Sequence, residues 1–366
     1  MREAFPGYAI RFLPEDLTPL TPLSHRPPPD RERGENAQHA APVQTPGGRG
    51  RPSPGWWGGD GRGVGGEVPR LLFFGGKGGV GKTTCAAATA LLLAERWPDR
   101  RILLLSTDPA HSLADALEAP LGDDERPVPG APPGLRAREL DAPETFEEWR
   151  SRHLGEVEEW LDSAGDLDRE ALRDLVALAP PGLDELAAVS ALIDALFGKT
   201  PAYDLVIVDT APTGHALRLL ETPGVMLEWV RTLLSLLLKY REAVRLGRFA
   251  EELLELSRGL KRLGETMRDP ERTRFLAVTR AAELPRRETL RLLKALDRLG
   301  IAAPAVIVDA VLPAGCPRCE REAMAQEKEI ALLRQGLERC AIILAPAVFP
   351  PPRGVEALKE WGRSWG

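Results

Sequence analysis

Short apolar runs alternate with longer amphipathic stretches along this chain, from about Val68 to its C-terminus. Continuous apolar runs are typical of strands that helices cover on both faces of a parallel sheet. The runs predict strands at residues 71–74, 102–105, 205–208, 275–278, 305–308 and 342–344. Apolar residues at helical spacing predict connecting helices at residues 82–96, 286–299 and 320–339. The pattern therefore indicates an α/β fold with a mostly parallel sheet flanked by helices.

The second and third predicted strands are separated by about a hundred residues, which is too many for a single crossover. Within this insertion, residues 144–161, 168–178 and 183–197 carry apolar side chains at helical spacing. Residues 222–267, after the third strand, add two similar segments. We therefore predict a helical subdomain formed by two insertions, at about 140–200 and 222–268. Its apolar faces either pack only on one another or form a groove for a hydrophobic partner.

Residues 1–67 differ from the rest of the chain, since proline and glycine make up about a third of them. This composition is typical of a disordered segment. The segment is interpreted either as a flexible extension or as sequence upstream of the true start, and we favour the second interpretation.

Composition narrows the class of partner and the compartment. The net charge of −6 argues against nucleic acid as the main partner, because proteins that follow a phosphate backbone carry a basic face. The longest apolar stretch, residues 226–238, is interrupted by Glu228 and Arg231, so no transmembrane segment is predicted. Four cysteines in 366 residues and no export signal predict a reducing, cytoplasmic location.

A glycine-rich segment follows the first predicted strand directly. It comprises Gly76, Lys77, Gly78, Gly79, Val80, Gly81, Lys82, Thr83 and Thr84. The glycines allow consecutive N–H groups to face one anion, and the following helix adds its positive N-terminal end. Lys82 would reach the β- and γ-phosphates of a nucleotide, and Thr83 would ligate Mg²⁺. Lys77 is additional to the general phosphate-loop pattern, and it is either solvated or directed at the nucleotide of a facing subunit.

Two aspartates follow the next predicted strands. Asp108, after the second strand, either orients the water that attacks the γ-phosphate or caps the helix that starts near Ser112. Asp209 ends the third strand, as expected of an acid that holds Mg²⁺ or its waters. The small residues after Asp209, up to His215, are predicted to form a switch loop in which His215 makes an anchoring hydrogen bond.

Cys316 and Cys319 form the one Cys-x-x-Cys pair of the chain. Two thiolates are half of the four ligands that structural zinc takes, so a symmetric dimer would supply the second pair. A redox dithiol, or a pair that binds no metal, is the alternative.

These motifs together resemble the family of arsenical pump-driving ATPases and of the eukaryotic ATPase that targets tail-anchored membrane proteins. The resemblance rests on residues 76–84, 106–113, 180–185 and 209–220 and extends from about Val68 to the C-terminus. The loop at 76–84 is similar to the deviant Walker A form, whose second lysine acts across a dimer. The resemblance implies a P-loop ATPase domain over residues 68–366 that uses ATP and Mg²⁺ as a homodimer.

The resemblance also implies a role for individual residues. Lys77 would act on the partner subunit's nucleotide, Asp108 on the attacking water, and Cys316 with Cys319 on a zinc ion at the dimer interface. The residues implied to line the adenine are Asp309, Pro346, Ala347 and Val348. Asp309 stands where the family often has asparagine, and an ionised carboxylate only accepts hydrogen bonds, so base preference is left open.

The client implied by the resemblance is a hydrophobic protein segment or a membrane-embedded partner. The alternative is an ATPase subunit that drives an arsenite or antimonite efflux pump. The chain has four methionines, fewer than an adaptable methionine-rich groove would have. It also has a single ATPase half and no cysteine between Cys85 and Cys316, so activation by metalloid is not expected.

Overall fold

The computed structural model describes residues 69–108, 110, 112–141, 183–198, 203–239, 248–313, 319–337 and 340–365. In these ranges the chain forms one eight-stranded sheet with the order β3-β4-β2-β5-β1-β6-β7-β8. The strands are β1 Leu71–Gly75, β2 Ile102–Ser106, β3 Arg126–Pro127, β4 Leu135–Glu139, β5 Leu205–Asp209, β6 Thr273–Arg280, β7 Ala305–Val311 and β8 Ala341–Pro346. All neighbouring strands are parallel except β3 and β4.

The six strands predicted from apolar runs are confirmed. Every residue of β1, β2 and β5 is buried, which accounts for their lack of alternation between polar and apolar positions. Strands β3 and β4 were not predicted. Leu135, Ala137 and Glu139 of β4 face inward while Arg136 and Arg138 are more exposed, so this strand shows the alternation of a half-covered position near the sheet edge.

Eight helices lie in the described part of the chain. They are α1 Lys82–Arg96, α2 Ser112–Leu117, α3 Leu183–Phe197, α4 Thr213–Lys239, α5 Arg248–Arg268, α6 Glu283–Leu299, α7 Glu320–Gln335 and α8 Val355–Arg363. The predicted bounds of α1 and α3 are confirmed. Helix α6 begins three residues before its prediction, and α7 ends four residues before its own because the chain leaves the helix at Gly336.

The remaining segment predictions lie outside the described residues. These are the helices at 144–161 and 168–178 and the extension at 1–67. The second insertion is described as parts of α4 and α5.

Two hydrophobic cores cover the sheet, one on each face. Residues such as Phe73 and Phe275 face helices α3 to α7, whereas Leu72 and Phe74 face α1, α2 and α8. Adjacent residues of a strand thus contact opposite cores, and the loops that follow the carboxyl ends of the parallel strands lie along one edge of the sheet. No helix within the described ranges has both the length and the hydropathy needed to cross a bilayer.

Candidate active site

The predicted motifs converge because the strands that precede them end in register. Asp209, at the end of β5, lies opposite Phe74 of β1 on one side and Ser106 of β2 on the other. Ser106 in turn lies opposite Glu139 of β4. Parallel strands bring their carboxyl ends to one edge, so the loops after β1, β2 and β5 share one site.

Two glycines of the phosphate loop have no room for a side chain. A Cβ on Gly76 would lie 2.1 Å from the carbonyl oxygen of Val278, and Gly81 has a φ of +91°. A Cβ on Gly81 would also lie 2.4 Å from Oδ2 of Asp309. Gly81 precedes α1 and no side chain among the described residues caps this helix, so its first N–H groups are available to an anion.

Lys82 is buried, and its Nζ lies 3.5 Å from the carbonyl oxygen of Lys77. The lysine predicted to reach the β- and γ-phosphates therefore contacts the backbone of the phosphate loop that precedes it. The Thr83 hydroxyl lies 3.0 Å from the hydroxyl of Ser112, the first residue of α2.

Asp209 is a buried carboxylate that is only partly satisfied. Ser106 Oγ donates to its Oδ2 at 3.3 Å, while Oδ1 has no hydrogen-bond partner among the described residues. Burial raises the pKa of Asp209 from 3.8 to about 7, against the lowering effects of the Thr83 hydroxyl and the Lys82 charge. An unsatisfied buried oxygen beside a hydroxyl is a donor set that suits Mg²⁺, so the residues fit the predicted metal site.

Asp108 is half-buried in the loop between β2 and α2. Its N–H donates to Ser106 Oγ at 3.3 Å, and its Oδ1 accepts from the N–H of Ala110 at 3.1 Å. The N–H groups of Leu113 and Ala114 in the first turn of α2 instead donate to Glu139 Oε1, at 2.7 and 3.0 Å. The cap of this helix is therefore supplied by Glu139, and Asp108 is left at the site edge.

The loop after β5 is tied to the end of β1 and to the phosphate loop that follows it. Both N and Oγ1 of Thr210 donate to the carbonyl oxygen of Phe74, at 3.1 and 2.7 Å. The N–H of Thr213, where α4 begins, donates to the carbonyl oxygen of Gly76 at 3.2 Å. His215 Nδ1 lies 3.2 Å from Oε1 of Glu185, a buried residue of α3, which is an anchoring contact of the kind predicted for His215.

Lys77 is paired within its own chain. Its Nζ lies 3.4 Å from Oε1 of Glu288 on α6, and both side chains are about one third exposed. The two residues line a cavity of about 380 Å³ together with Pro212 and Arg291. The free solvated lysine considered from the sequence is thus replaced by an ion pair at the rim of the site.

The residues implied to line the adenine lie at the same edge of the sheet, on β7 and β8. Asp309 is buried against Gly81, and its Oδ2 lies 3.3 Å from Arg280 Nη2. Burial raises the pKa of Asp309 and the Arg280 charge opposes that shift. Pro346 ends β8, the N–H of Ala347 donates to the carbonyl oxygen of Val311 at 2.8 Å, and Val348 is exposed.

The predicted zinc pair is only partly described. Cys319 immediately precedes α7, and Cys316 lies outside the described residues. Within the described ranges no three His, Cys, Asp or Glu side chains are grouped as a metal site would require. The zinc site stays a prediction.

Four residues of the site were not identified from the sequence: Ser112, Glu139, Arg280 and Glu288. Glu139 ends a strand, as Asp209 does, so recognising the alternation of β4 would have drawn attention to it. No sequence signal distinguishes Glu288 from the other charged residues of α6, because only the tertiary structure selects which one faces Lys77.

A parallel sheet with a phosphate loop after one strand and acids at the neighbouring strand tips defines a P-loop nucleotide hydrolase. The chain belongs to the anion-transporting ATPase family, whose sequence model matches residues 69–364. A protein of Aquifex aeolicus named arsenical pump-driving ATPase 2 is 33% identical over 80% of this chain and 98% of its own length. ATPase GET3B of Arabidopsis thaliana is 32% identical, over 82% of this chain and 79% of its own.

A third relative, ATPase GET3 of Komagataella phaffii, is 30% identical over 81% of this chain and 90% of its own length. Family and relatives agree on the reaction, so the protein is an ATPase that uses ATP and Mg²⁺.

Asp209→Asn is expected to stabilise the nucleotide-free protein while it removes activity. A folded-state pKa near 7, above the ordinary 3.8, means that the native state binds a proton that the unfolded chain releases. The free energy of unfolding of the wild-type protein should therefore fall by up to about 4 kcal/mol as pH rises from about 4 to about 7. Urea unfolding of Asp209→Asn without Mg²⁺ should lack this pH dependence. The rate of ATP hydrolysis by the variant should fall about 100-fold.

The matched control is Asp297→Asn, which removes an exposed carboxylate of α6. It should retain both the pH dependence and the hydrolysis rate. Equal pH dependence in wild type and Asp209→Asn would contradict the assignment.

Proposed function

We propose that this ATPase works as a homodimer, and that its nucleotide cycle moves its helical segments to bind and release a hydrophobic protein segment. The observation that carries this proposal is helix α4. It begins at Thr213 in the nucleotide site, bonded to Gly76, and continues for 27 residues to Lys239. One continuous helix thus connects the phosphate loop with the helical insertions.

Helix α4 packs on α3 and α5 through an apolar face that includes Met226 and Val230. Outside that face, Val225 of α4 is 54% exposed and Leu254 of α5 is 44% exposed. We infer that these two exposed aliphatic side chains contact the apolar client.

In the catalytic step, the phosphate loop and Lys82 bind the β- and γ-phosphates, and Asp108 orients the attacking water. Mg²⁺, held by Thr83 and Asp209, would neutralise charge on the phosphate oxygens. Loss of the γ-phosphate would release the loop from Thr210 to His215, and α4 would transmit that change.

The homodimer gives Lys77 a function. Its contact with Glu288 joins two partly exposed side chains, so the pair is worth at most about 1 kcal/mol and is easily exchanged. We infer that Lys77 leaves Glu288 when two copies close on ATP and then contacts the nucleotide bound by the partner subunit.

Mixing two inactive variants tests this transfer. In a dimer of Lys77→Ala with Asp108→Asn, the first chain keeps its own Asp108 and receives the lysine of the second. Random mixing should therefore restore about a quarter of the wild-type hydrolysis rate, since half of the dimers carry one intact site of two. Steady-state phosphate release, measured at several mixing ratios, provides the readout.

If Lys77 acted within its own chain, neither site of the mixed dimer would be complete and no activity would return. Full activity of Lys77→Ala alone would likewise contradict a role across the dimer. Mixing Lys77→Ala with Lys77→Ala/Asp108→Asn is the control that should stay inactive.

Client binding is tested with Asp108→Asn held in ATP and a synthetic helical peptide of about 20 leucine and alanine residues. We expect binding in ATP, release in ADP, and no binding of a peptide with two central aspartates. Val225→Asp with Leu254→Asp should weaken binding at least about tenfold, because charge is inserted into the apolar surface. The control Leu284→Asp, on an exposed position of α6, should bind as before.

The alternative, an ATPase subunit of an arsenite pump, gives the opposite result in two measurements. Peptide binding would be independent of nucleotide. Arsenite would stimulate hydrolysis, and replacing Cys316, Cys319 and Cys340 would remove that stimulation. The Aquifex aeolicus relative, which is named an arsenical pump-driving ATPase, supports this alternative.

We also propose that Cys316 and Cys319 of two chains together bind one zinc ion. Cysteine thiolates are ligands that zinc prefers, and one chain supplies half of a tetrahedral set. Metal analysis should find about one zinc per dimer in the wild type and none in Cys319→Ser. Full zinc content in Cys319→Ser, or zinc retained by a monomeric fraction, would contradict the shared site. The control Cys340→Ser replaces a thiol that bonds the carbonyl oxygen of Ala303, and it should keep the metal.

A further inference from the structure

Helix α2 is capped by a carboxylate that comes from a distant strand. Oε1 of Glu139 accepts from the N–H of Leu113 at 2.7 Å and from that of Ala114 at 3.0 Å. These are first-turn N–H groups that a side chain just before a helix usually satisfies. Here the acceptor lies 26 and 25 residues further along the chain, at the end of β4. Glu139 is 3% exposed, so the bonds are shielded from water.

The position of Glu139 is fixed from both sides. Its own N–H donates to the carbonyl oxygen of Gly122 at 2.9 Å, and the N–H of Leu140 donates to the carbonyl oxygen of Ser106 at 3.0 Å. Ser106 is the last residue of β2 and lies opposite Glu139 in the sheet. The carboxylate is thus attached to the strand end from which the Asp108 loop departs.

The cap acts on two parts of the nucleotide site. Ser112, the first residue of α2, has its hydroxyl 3.0 Å from that of Thr83, the predicted Mg²⁺ ligand. The loop that contains Asp108 runs from Ser106 to the start of this same helix. The first end of the loop is fixed by β2 and by the bond from Thr107 N–H to the carbonyl oxygen of Asp209 at 2.9 Å. The other end is fixed through Glu139.

We propose that Glu139 is a positioning residue for ATP hydrolysis. By fixing the start of α2, it holds the Asp108 loop at the length and orientation that bring the carboxylate to the attacking water. It also presents Ser112 to Thr83. The inference uses the established ATPase activity and the proposed role of Asp108, and it is independent of the nature of the client.

Three variants of Glu139 and one of its neighbour Arg138 test the proposal. The measurements are kcat, KM and the affinity for a fluorescent ATP analogue. Glu139→Ala should lower kcat about tenfold to a hundredfold, because small displacements of a catalytic group are costly. Affinity for the analogue should change less than about threefold, because the phosphate loop is built from β1 and α1. Glu139→Gln keeps an Oε1 acceptor of the same reach, so it should restore kcat to within about threefold of the wild type.

Glu139→Asp keeps the charge and shortens the side chain by one methylene, so it should resemble Glu139→Ala. A higher kcat in Glu139→Gln than in Glu139→Asp would show that the geometry of the hydrogen bonds matters more than the charge. This comparison can be made even if the alanine variant fails to fold. Arg138→Ala is the matched control. It breaks a part-buried ion pair with Asp123, at 2.8 Å, one position earlier on β4, and should lower stability without changing kcat.

The proposal would be overturned if Arg138→Ala lowered kcat as much as Glu139→Ala, if Glu139→Gln were as inactive as Glu139→Ala, or if nucleotide affinity fell in parallel with kcat. Asp108→Asn is assayed beside these variants. Full activity of Asp108→Asn would contradict the role of Asp108, whereas an inactive Asp108→Asn with a fully active Glu139→Ala would contradict the positioning role alone.

Discussion

A carboxylate buried at the tip of β5 is the constraint on which the nucleotide site depends. Asp209 is held in register between the ends of β1 and β2, and one of its oxygens has no hydrogen-bond partner among the described residues. Burying a charge in this way costs several kcal/mol unless a proton or a cation compensates it. The sheet sets the carboxylate beside Lys82 and Thr83, so the strands and the phosphate loop bring together the groups that the proposed Mg²⁺ site requires.

The same strand leads into the helical part of the protein. Thr210 and Thr213 bond the carbonyl oxygens of Phe74 and Gly76, so the start of α4 is attached to the phosphate loop. A helix of 27 residues is about 40 Å long, and a small rotation at its start becomes a large displacement at its far end. Pro223 interrupts the hydrogen-bond ladder of α4, which makes that position a natural bend.

The sequence was most informative where one local signal decides the structure. Strands β1, β2 and β5 were predicted because they are continuous apolar runs. The phosphate loop was predicted because glycine is required where a Cβ would collide, as at Gly76 and Gly81, and the sequence shows those glycines directly. Strand β4 was missed because its alternating arginines resemble a surface segment. The contacts of Glu139 and Glu288 join residues far apart in the chain, and no local pattern predicts which partner a charged side chain meets.

In the proposed dimer, the ion pair between Lys77 and Glu288 would make association of two copies an exchange of one ionic contact for another. A lysine that must leave one carboxylate to reach a phosphate gains only the difference between the two interactions. Because dissolved salt weakens both pairs, much of its effect cancels. Formation of the proposed dimer would therefore depend less steeply on ionic strength than the number of charges at its interface suggests.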